Sequence, residues 1–173
     1  MKIADLFTMI NGRDIVKSYR LILVLIFIAA FAGCASTVTP DQMKAAIKNF
    51  NLPVIPDVGK AVVYIVRPSK AAVKDSFRVF VDDKTGEAEM GYTKGAQYIY
   101  FSIEPGRHTI LSKAENWAEK TINVSAGDII YIQQEPERGT LTARNSLYAP
   151  FDYQGKYYVK TLNLGTIIKK DIN

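Results

Sequence analysis

The sequence is poor in the residues that build most reactive and metal-binding sites, with one cysteine, one histidine and one tryptophan among 173 residues. The single cysteine, Cys34, cannot form a disulfide within its own chain or supply a cysteine-rich zinc module. The single histidine, His108, excludes a histidine-rich metal site and would have to serve any catalytic triad alone. The sequence also lacks a phosphate-binding loop and a dinucleotide-binding glycine pattern. We therefore expect no catalytic residue, no metal ligand and no bound cofactor.

Positive charge is in modest excess, with a net charge of +5 at pH 7. Part of this excess precedes Cys34, and the basic residues after it are interleaved with acidic ones. A nucleic-acid interface needs basic residues clustered on one face or along one helix. We therefore expect no nucleic-acid partner.

The first 33 residues have the pattern of a secretory signal peptide. A basic segment containing Arg13, Lys17 and Arg20 precedes an uncharged apolar run over residues 21–33. This run is shorter than the roughly 18–20 apolar residues that a permanent membrane-spanning helix needs, and it ends in small residues suited to cleavage. We predict a signal peptide over residues 1–33, with Met9 as an alternative start to Met1.

The end of that run has a motif of its own. Phe31, Ala32, Gly33 and Cys34 resemble the lipobox of bacterial lipoproteins, although Leu is commoner than Phe at the first position. The resemblance implies cleavage between Gly33 and Cys34 and a covalent lipid on Cys34. Because Ala35 and not Asp follows, it also implies a periplasm-facing location in the outer membrane, with the lipid bilayer as a partner. The alternative is a buried cysteine in an uncleaved anchor helix.

Residues 34–58 are predicted to form a lipidated tether, a short helix and a linker. Thr39 and Gln42 have the spacing of a capping box at a helix start. In one interpretation, this helix packs on the domain or forms part of a stalk. A membrane-surface helix that uses Lys44 and Lys48 is the other. Two prolines then end the helix and mark the domain boundary: Pro53 and Pro56.

From residue 59 to residue 173 the hydrophobic period changes to two, which is typical of β-strands. Turn-forming residues recur about every 8–12 positions, as in sandwiches and barrels. The clearest strand candidates are residues 61–66, 77–82, 97–103, 107–113, 119–124 and 128–134, and the weaker ones are 139–147 and 156–164. A hairpin turn is predicted after the second of these. The predicted fold is mostly β: an antiparallel β-sandwich preceded by a signal peptide and a short N-terminal helix.

The pattern from residue 60 to about residue 135 is similar to a family of small envelope lipoproteins known as domain of unknown function 2846. Its strand–Pro-Gly–strand element also resembles PEGA-type and transthyretin-like sandwich modules. The matching positions are Arg67-Pro68, Pro105-Gly106, His108 and Gly127-Asp128. The resemblance implies an envelope β-sandwich and brings no activity with it.

Aromatic residues supply the candidate ligand contacts. One group of candidates consists of Tyr98, Tyr100 and Tyr131. They form a face that stacks on a glycan, or they pack against neighbouring side chains of the sheet, as aromatic residues in strands commonly do. Trp117 is expected between two strands at a loop tip, where it is the best single candidate for an exposed contact. His108 is expected to have a structural role, with a hydrogen bond to the neighbouring turn.

Three hypotheses about function follow. The first is a non-enzymatic structural or binding role in the cell envelope, with an envelope protein or a glycan as partner. The second is a carbohydrate- or peptidoglycan-binding lipoprotein that uses Trp117 and the tyrosines. The third is a hydrolase, which requires Asp82 or Glu87 in a cleft that shields it and raises its pKa.

Overall fold

The computed structural model of the protein describes residues 37–172. The predicted signal peptide, its cleavage point at Gly33 and the predicted lipidation site at Cys34 lie outside these residues. Among the residues described, no helix is both long enough and apolar enough to cross a membrane.

Within residues 37–172, ten strands form two five-stranded sheets, and two short α-helices accompany them. The strands are β1 (Ala61–Arg67), β2 (Phe77–Val81), β3 (Glu89–Thr93), β4 (Gln97–Ile103), β5 (Gly106–Lys113), β6 (Trp117–Val124), β7 (Ile129–Glu137), β8 (Arg144–Tyr148), β9 (Asn163–Leu164) and β10 (Thr166–Ile167). The helices are α1 (Pro40–Ile47), a 3₁₀ turn (Gly86–Ala88) and α2 (Asp152–Thr161).

Sheet one has the strand order β8-β7-β1-β4-β9, and sheet two has the order β10-β3-β2-β5-β6. The predicted mostly β sandwich is confirmed. Most neighbouring strands are antiparallel, but β1 pairs in parallel with β7 and β4 pairs in parallel with β9. The chain can align β1 with β7 because it passes through sheet two between them, and parallel neighbours need such a crossover.

Strand β1 is the centre of the fold, and every one of its residues is buried. One side, which includes Val63 and Ile65, faces the core between the two sheets. The other side, which includes Val62, Tyr64 and Val66, forms a second cluster on the outer face of sheet one. The continuous apolar run that predicted this strand reflects burial on both faces.

A helical layer covers the outer face of sheet one. Helix α1 begins with the predicted capping box, in which the backbone N–H of Gln42 donates to the Thr39 hydroxyl at 3.3 Å. Helix α1 packs against α2, and the Lys160 ammonium donates to the backbone oxygen of Ala46. The segment that follows α1 adds partly buried apolar side chains to the cluster on sheet one: Phe50, Leu52 and Val54.

One local prediction was wrong. Residues 156–164 were expected to form a strand because they are rich in β-branched and aromatic residues, but most of them form α2. Helix α2 buries Val159, together with the preceding Gly155, against sheet one, and tertiary packing therefore overrides local preference. The turn predicted after β2 contains the 3₁₀ helix, and the short strand β3 that follows it was not predicted.

Candidate functional site

Trp117 lies on the outer face of sheet two. Val79 and Val81 point into the core between the sheets, and side chains alternate along a strand, so Phe80 points outward. The Trp117 ring packs on Phe80 with 5.2 Å between ring centroids. Trp117 is the first residue of β6 and is half-buried, and the prediction that it lies at a loop tip is therefore wrong.

Charged side chains surround this tryptophan. The ammonium groups of Lys84 and Lys113 each lie 5.2 Å from the centroid of the Trp117 ring. Lys84 also forms an ion pair with Glu119, with 2.7 Å between Nζ and Oε1. Cations at this distance interact favourably with the ring face. A flat ligand that stacks on Trp117 therefore has to displace a lysine side chain.

The three candidate tyrosines belong to a different surface from Trp117. Tyr98 and Tyr131 are buried in the cluster beneath α2, and Tyr100 is half-buried at its edge. Their common neighbour is Tyr64, whose ring centroid lies 5.7–6.2 Å from the other three. A sugar could stack on Tyr98 or Tyr131 only if the helical layer moved away from sheet one.

Tyr64 joins the linker to the sheet, a contact that was not predicted from the sequence. Its hydroxyl donates to the backbone oxygen of Val54 at 2.6 Å and accepts from the backbone N–H of Val54 at 3.0 Å. Burial raises the pKa of Tyr64 to about 12, although the hydrogen bond to Val54 acts in the opposite direction. The only sequence signal for this role is a tyrosine inside an otherwise aliphatic buried strand.

His108 has hydrogen-bonding contacts on both sides of its ring. Its Nδ1 atom lies 2.7 Å from Asp82 Oδ2, and its Nε2 atom lies 3.0 Å from the backbone oxygen of Glu104. The other carboxylate oxygen of Asp82 accepts the backbone N–H of Thr109 at 2.7 Å. His108 and Asp82 therefore connect the end of β2 to the turn before β5.

The other carboxylate named for a hydrolase lies in an open position. Glu87 is 96% exposed, and its carboxylate lies 3.3 Å from the ammonium of Lys169. It borders an open depression of about 300 Å³ that Asp82 does not line. The structure therefore brings neither carboxylate into an enclosing cleft. Across residues 37–172, no group of three or more His, Cys, Asp or Glu side chains is placed to hold a metal ion.

Arg67 is fully buried at the end of β1, a placement that was not predicted from the sequence. Its guanidinium donates to the backbone oxygens of Asp75 at 2.6 Å and Ala72 at 2.7 Å. It also lies 3.6 Å from the centroid of the Phe77 ring. Arg67 therefore fixes the loop between β1 and β2. Its position directly after a continuous apolar run and before Pro68 is the signal that could have indicated this.

Comparison with known proteins identifies the family of this chain. The family model described as protein of unknown function (DUF2846) matches residues 57–145, which is more than half of the chain. The chain belongs to the DUF2846 family. No curated protein and no solved structure matches it.

The DUF2846 match covers β1 to β7 and the first residues of β8. The Trp117 surface, which consists of Trp117, Phe80, Lys84, Lys113 and Glu119, falls within it. The His108–Asp82 pair and buried Arg67 also fall within it. Both helices and the two short strands β9 and β10 lie outside it. The cover over the tyrosine cluster is therefore built largely from residues outside the matched region.

One carboxylate in the matched region is held by a loop. Glu115 accepts backbone N–H groups from Thr140, Leu141 and Thr142 at 2.7–3.2 Å. These hydrogen bonds lower the pKa of Glu115 from its ordinary value of 4.5 to about 2. Because the folded-state pKa is the lower one, Glu115 stabilises the fold above about pH 4.5, and this contribution is lost as the pH falls through about 2.

We expect Glu115→Gln to remove part of the loss of stability between about pH 4.5 and pH 2. The measurement is urea unfolding of wild type and variant from pH 2 to pH 7. Glu137→Gln, which removes an exposed carboxylate, is the control and should retain the wild-type pH profile. Identical profiles for Glu115→Gln and wild type would show that the loop does not hold the carboxylate in solution.

Proposed function

We propose that this protein is a lipid-anchored component of the bacterial cell envelope whose β-sandwich has a structural or binding role rather than an enzymatic one. One observation carries the proposal: Cys34 follows a basic segment and a short apolar run that ends in Gly33. The family to which the chain belongs is described as one of unknown function and brings no activity with it. The positions of Asp82, Glu87 and His108 support a role without catalysis.

The anchor in this proposal is the lipid on Cys34. Each buried CH₂ group of an acyl chain contributes about 0.8 kcal/mol to membrane binding, and two or more chains hold a protein stably where one does not. Because Ala35 follows the cysteine, we place the protein on the periplasmic side of the outer membrane. The sandwich then presents the Trp117 surface to an envelope protein or a glycan.

Replacing the thiol tests this proposal. We expect Cys34→Ser to remove the lipid attachment, so that the variant retains residues 1–33 and leaves the outer-membrane fraction. The measurement is fractionation of a Gram-negative host that expresses each form, with immunodetection. Ala35→Asp is the matched variant: it keeps the thiol, and we expect it to stay in the membrane but move to the inner one. Cofractionation of Cys34→Ser with wild type in the outer membrane would overturn the proposed anchor.

A further inference from the structure

The helical layer has a face that combines aromatic and basic side chains. The Phe151 and Tyr153 rings stack in parallel, with 5.6 Å between centroids and 9° between planes. The Lys44 ammonium lies 5.2 Å from the centroid of the Tyr153 ring, which brings α1 and α2 together. Lys48 lies one turn after Lys44, and Lys156 lies one turn after Tyr153, so both extend the same surface. We call this surface the helix-layer face: Lys44, Lys48, Phe151, Tyr153 and Lys156.

The side chains of this face differ in their exposure to solvent. Phe151 is 69% exposed, whereas Tyr153 and Lys156 are partly buried. Lys44 and Lys48 are also exposed. Within residues 37–172, none of the three lysines of the face forms an ion pair, as holds for most lysines of this part of the chain. Two exposed carboxylates lie on the same helices, Asp41 and Asp152, so the face has a small excess of positive charge beside the exposed Phe151 ring.

The proposed lipid would hold this face close to a membrane. Only residues 35–39 separate Cys34 from Pro40, the first residue of α1. A fully extended chain spans at most about 3.6 Å per residue, so the six steps from Cys34 to Pro40 reach about 22 Å. An acylated Cys34 would therefore keep the start of α1 within that distance of the bilayer. This step rests on the proposed function.

We propose that the helix-layer face lies on the membrane that holds Cys34 and contacts anionic lipid headgroups. Lys44, Lys48 and Lys156 lie at the level of the phosphates, and Phe151 enters the interface, as aromatic groups beside lysines do in membrane-surface helices. The Trp117 surface is on the outer face of sheet two and points away from the bilayer. The anchored domain therefore has a fixed orientation, with one face on the lipid and the opposite face free for a partner.

Each lysine near an anionic surface favours the docked state by about fivefold, which corresponds to about 1 kcal/mol. Because Lys44→Glu/Lys48→Glu replaces attraction by repulsion at two positions, it should lower the docked-to-undocked ratio by more than about 25-fold. Lys70→Glu/Lys94→Glu makes the same change in net charge at exposed positions outside the helical layer. This control variant should dock like wild type.

A tryptophan at position 151 reports docking directly. The reporter protein carries Phe151→Trp together with Trp117→Phe and is reconstituted in its membrane-attached form into vesicles. One set of vesicles contains phosphatidylcholine only, and the other contains added phosphatidylglycerol. We expect blue-shifted emission and quenching by brominated lipid with phosphatidylglycerol, and loss of both with Lys44→Glu/Lys48→Glu. The protein with its native Trp117 should show neither change.

The outcomes separate this proposal from the lipid anchor. The mass of the purified protein decides whether Cys34 is acylated, while the quenching decides whether the face contacts lipid, however the chain is held in the vesicle. Unquenched emission from position 151 in phosphatidylglycerol vesicles would overturn the docking proposal even if the mass showed acylation. A blue shift that depends on protein concentration and not on the anionic lipid would also overturn it, since the face would then bind a second copy.

Discussion

We expect Gly155→Ala to destabilise the protein by about 1–3 kcal/mol, although the same change stabilises most helices. Gly155 is buried in the first half of α2, where the helix backbone lies directly on the Tyr131 ring. A Cβ atom at this position would lie 2.6 Å from Tyr131 Cδ1 and closer still to Cγ. Either α2 or the Tyr131 ring must then move, and the helical layer loses its contact with sheet one.

The measurement is urea unfolding of wild type, Gly155→Ala and Gly86→Ala. Gly86→Ala is the matched control because no atom would approach its Cβ within 4 Å and its backbone is not in the left-handed region. In a background that carries Tyr131→Ala, Gly155→Ala should be much less destabilising, because the two side chains compete for the same space. A stabilising effect of Gly155→Ala in the native background would show that α2 does not lie on Tyr131.

The second large effect is expected at Arg67, where we predict a loss of about 3–5 kcal/mol for Arg67→Ala. The substitution removes a fully buried side chain together with its hydrogen bonds to the loop between β1 and β2. Burial lowers the pKa of the Arg67 guanidinium, and the carboxylates of Asp75 and Glu135 oppose this effect. Stacking on Phe77 adds a contact that alanine cannot make.

Three variants separate the parts of this effect in thermal or urea unfolding. Arg67→Lys keeps the charge but loses the planar group that stacks and donates in several directions, so we expect it to be clearly destabilising. Arg67→Met keeps much of the volume and removes every donor. Arg107→Ala, at an exposed position on β5, is the control and should have little effect. Wild-type stability of Arg67→Met would contradict a stabilising role for the buried hydrogen bonds.

The strands with strong period-two or continuous apolar patterns could be predicted from the sequence. Strands β1, β4 and β5 begin and end within one residue of the predicted ranges. Their patterns are strong because burial constrains the residue type. Burial of one face of a strand constrains every second residue, and burial of both faces constrains every residue. The capping box at Thr39 was also predictable, since both of its hydrogen bonds are local.

Helix α2 could not be predicted from local preference. Its residues, with several tyrosines and a glycine, favour a strand over a helix. What stabilises the helix is a contact distant in sequence, the fit of Gly155 and Val159 to the cluster around Tyr131. The parallel pairing of β1 with β7 is equally non-local, because nothing within either strand specifies the neighbour.

The candidate ligand contacts were also predictable only in part from the sequence. A pattern of alternating tyrosines is identical whether the rings face a ligand or a covering helix, and only the three-dimensional contacts place Tyr98 and Tyr131 beneath α2. Trp117 stands out in the sequence as the sole tryptophan. Its packing on Phe80 and its flanking lysines depend on the register of β2, β5 and β6, which the sequence does not reveal.

The intact mass of the protein purified from the membranes of a Gram-negative host tests the central proposal most directly. A lipid-anchored envelope protein should have the mass of a chain that begins at Cys34 plus a diacylglyceryl group and an amino-terminal acyl chain. A mass that includes residues 1–33, or one that begins at Cys34 without lipid, would contradict the anchor.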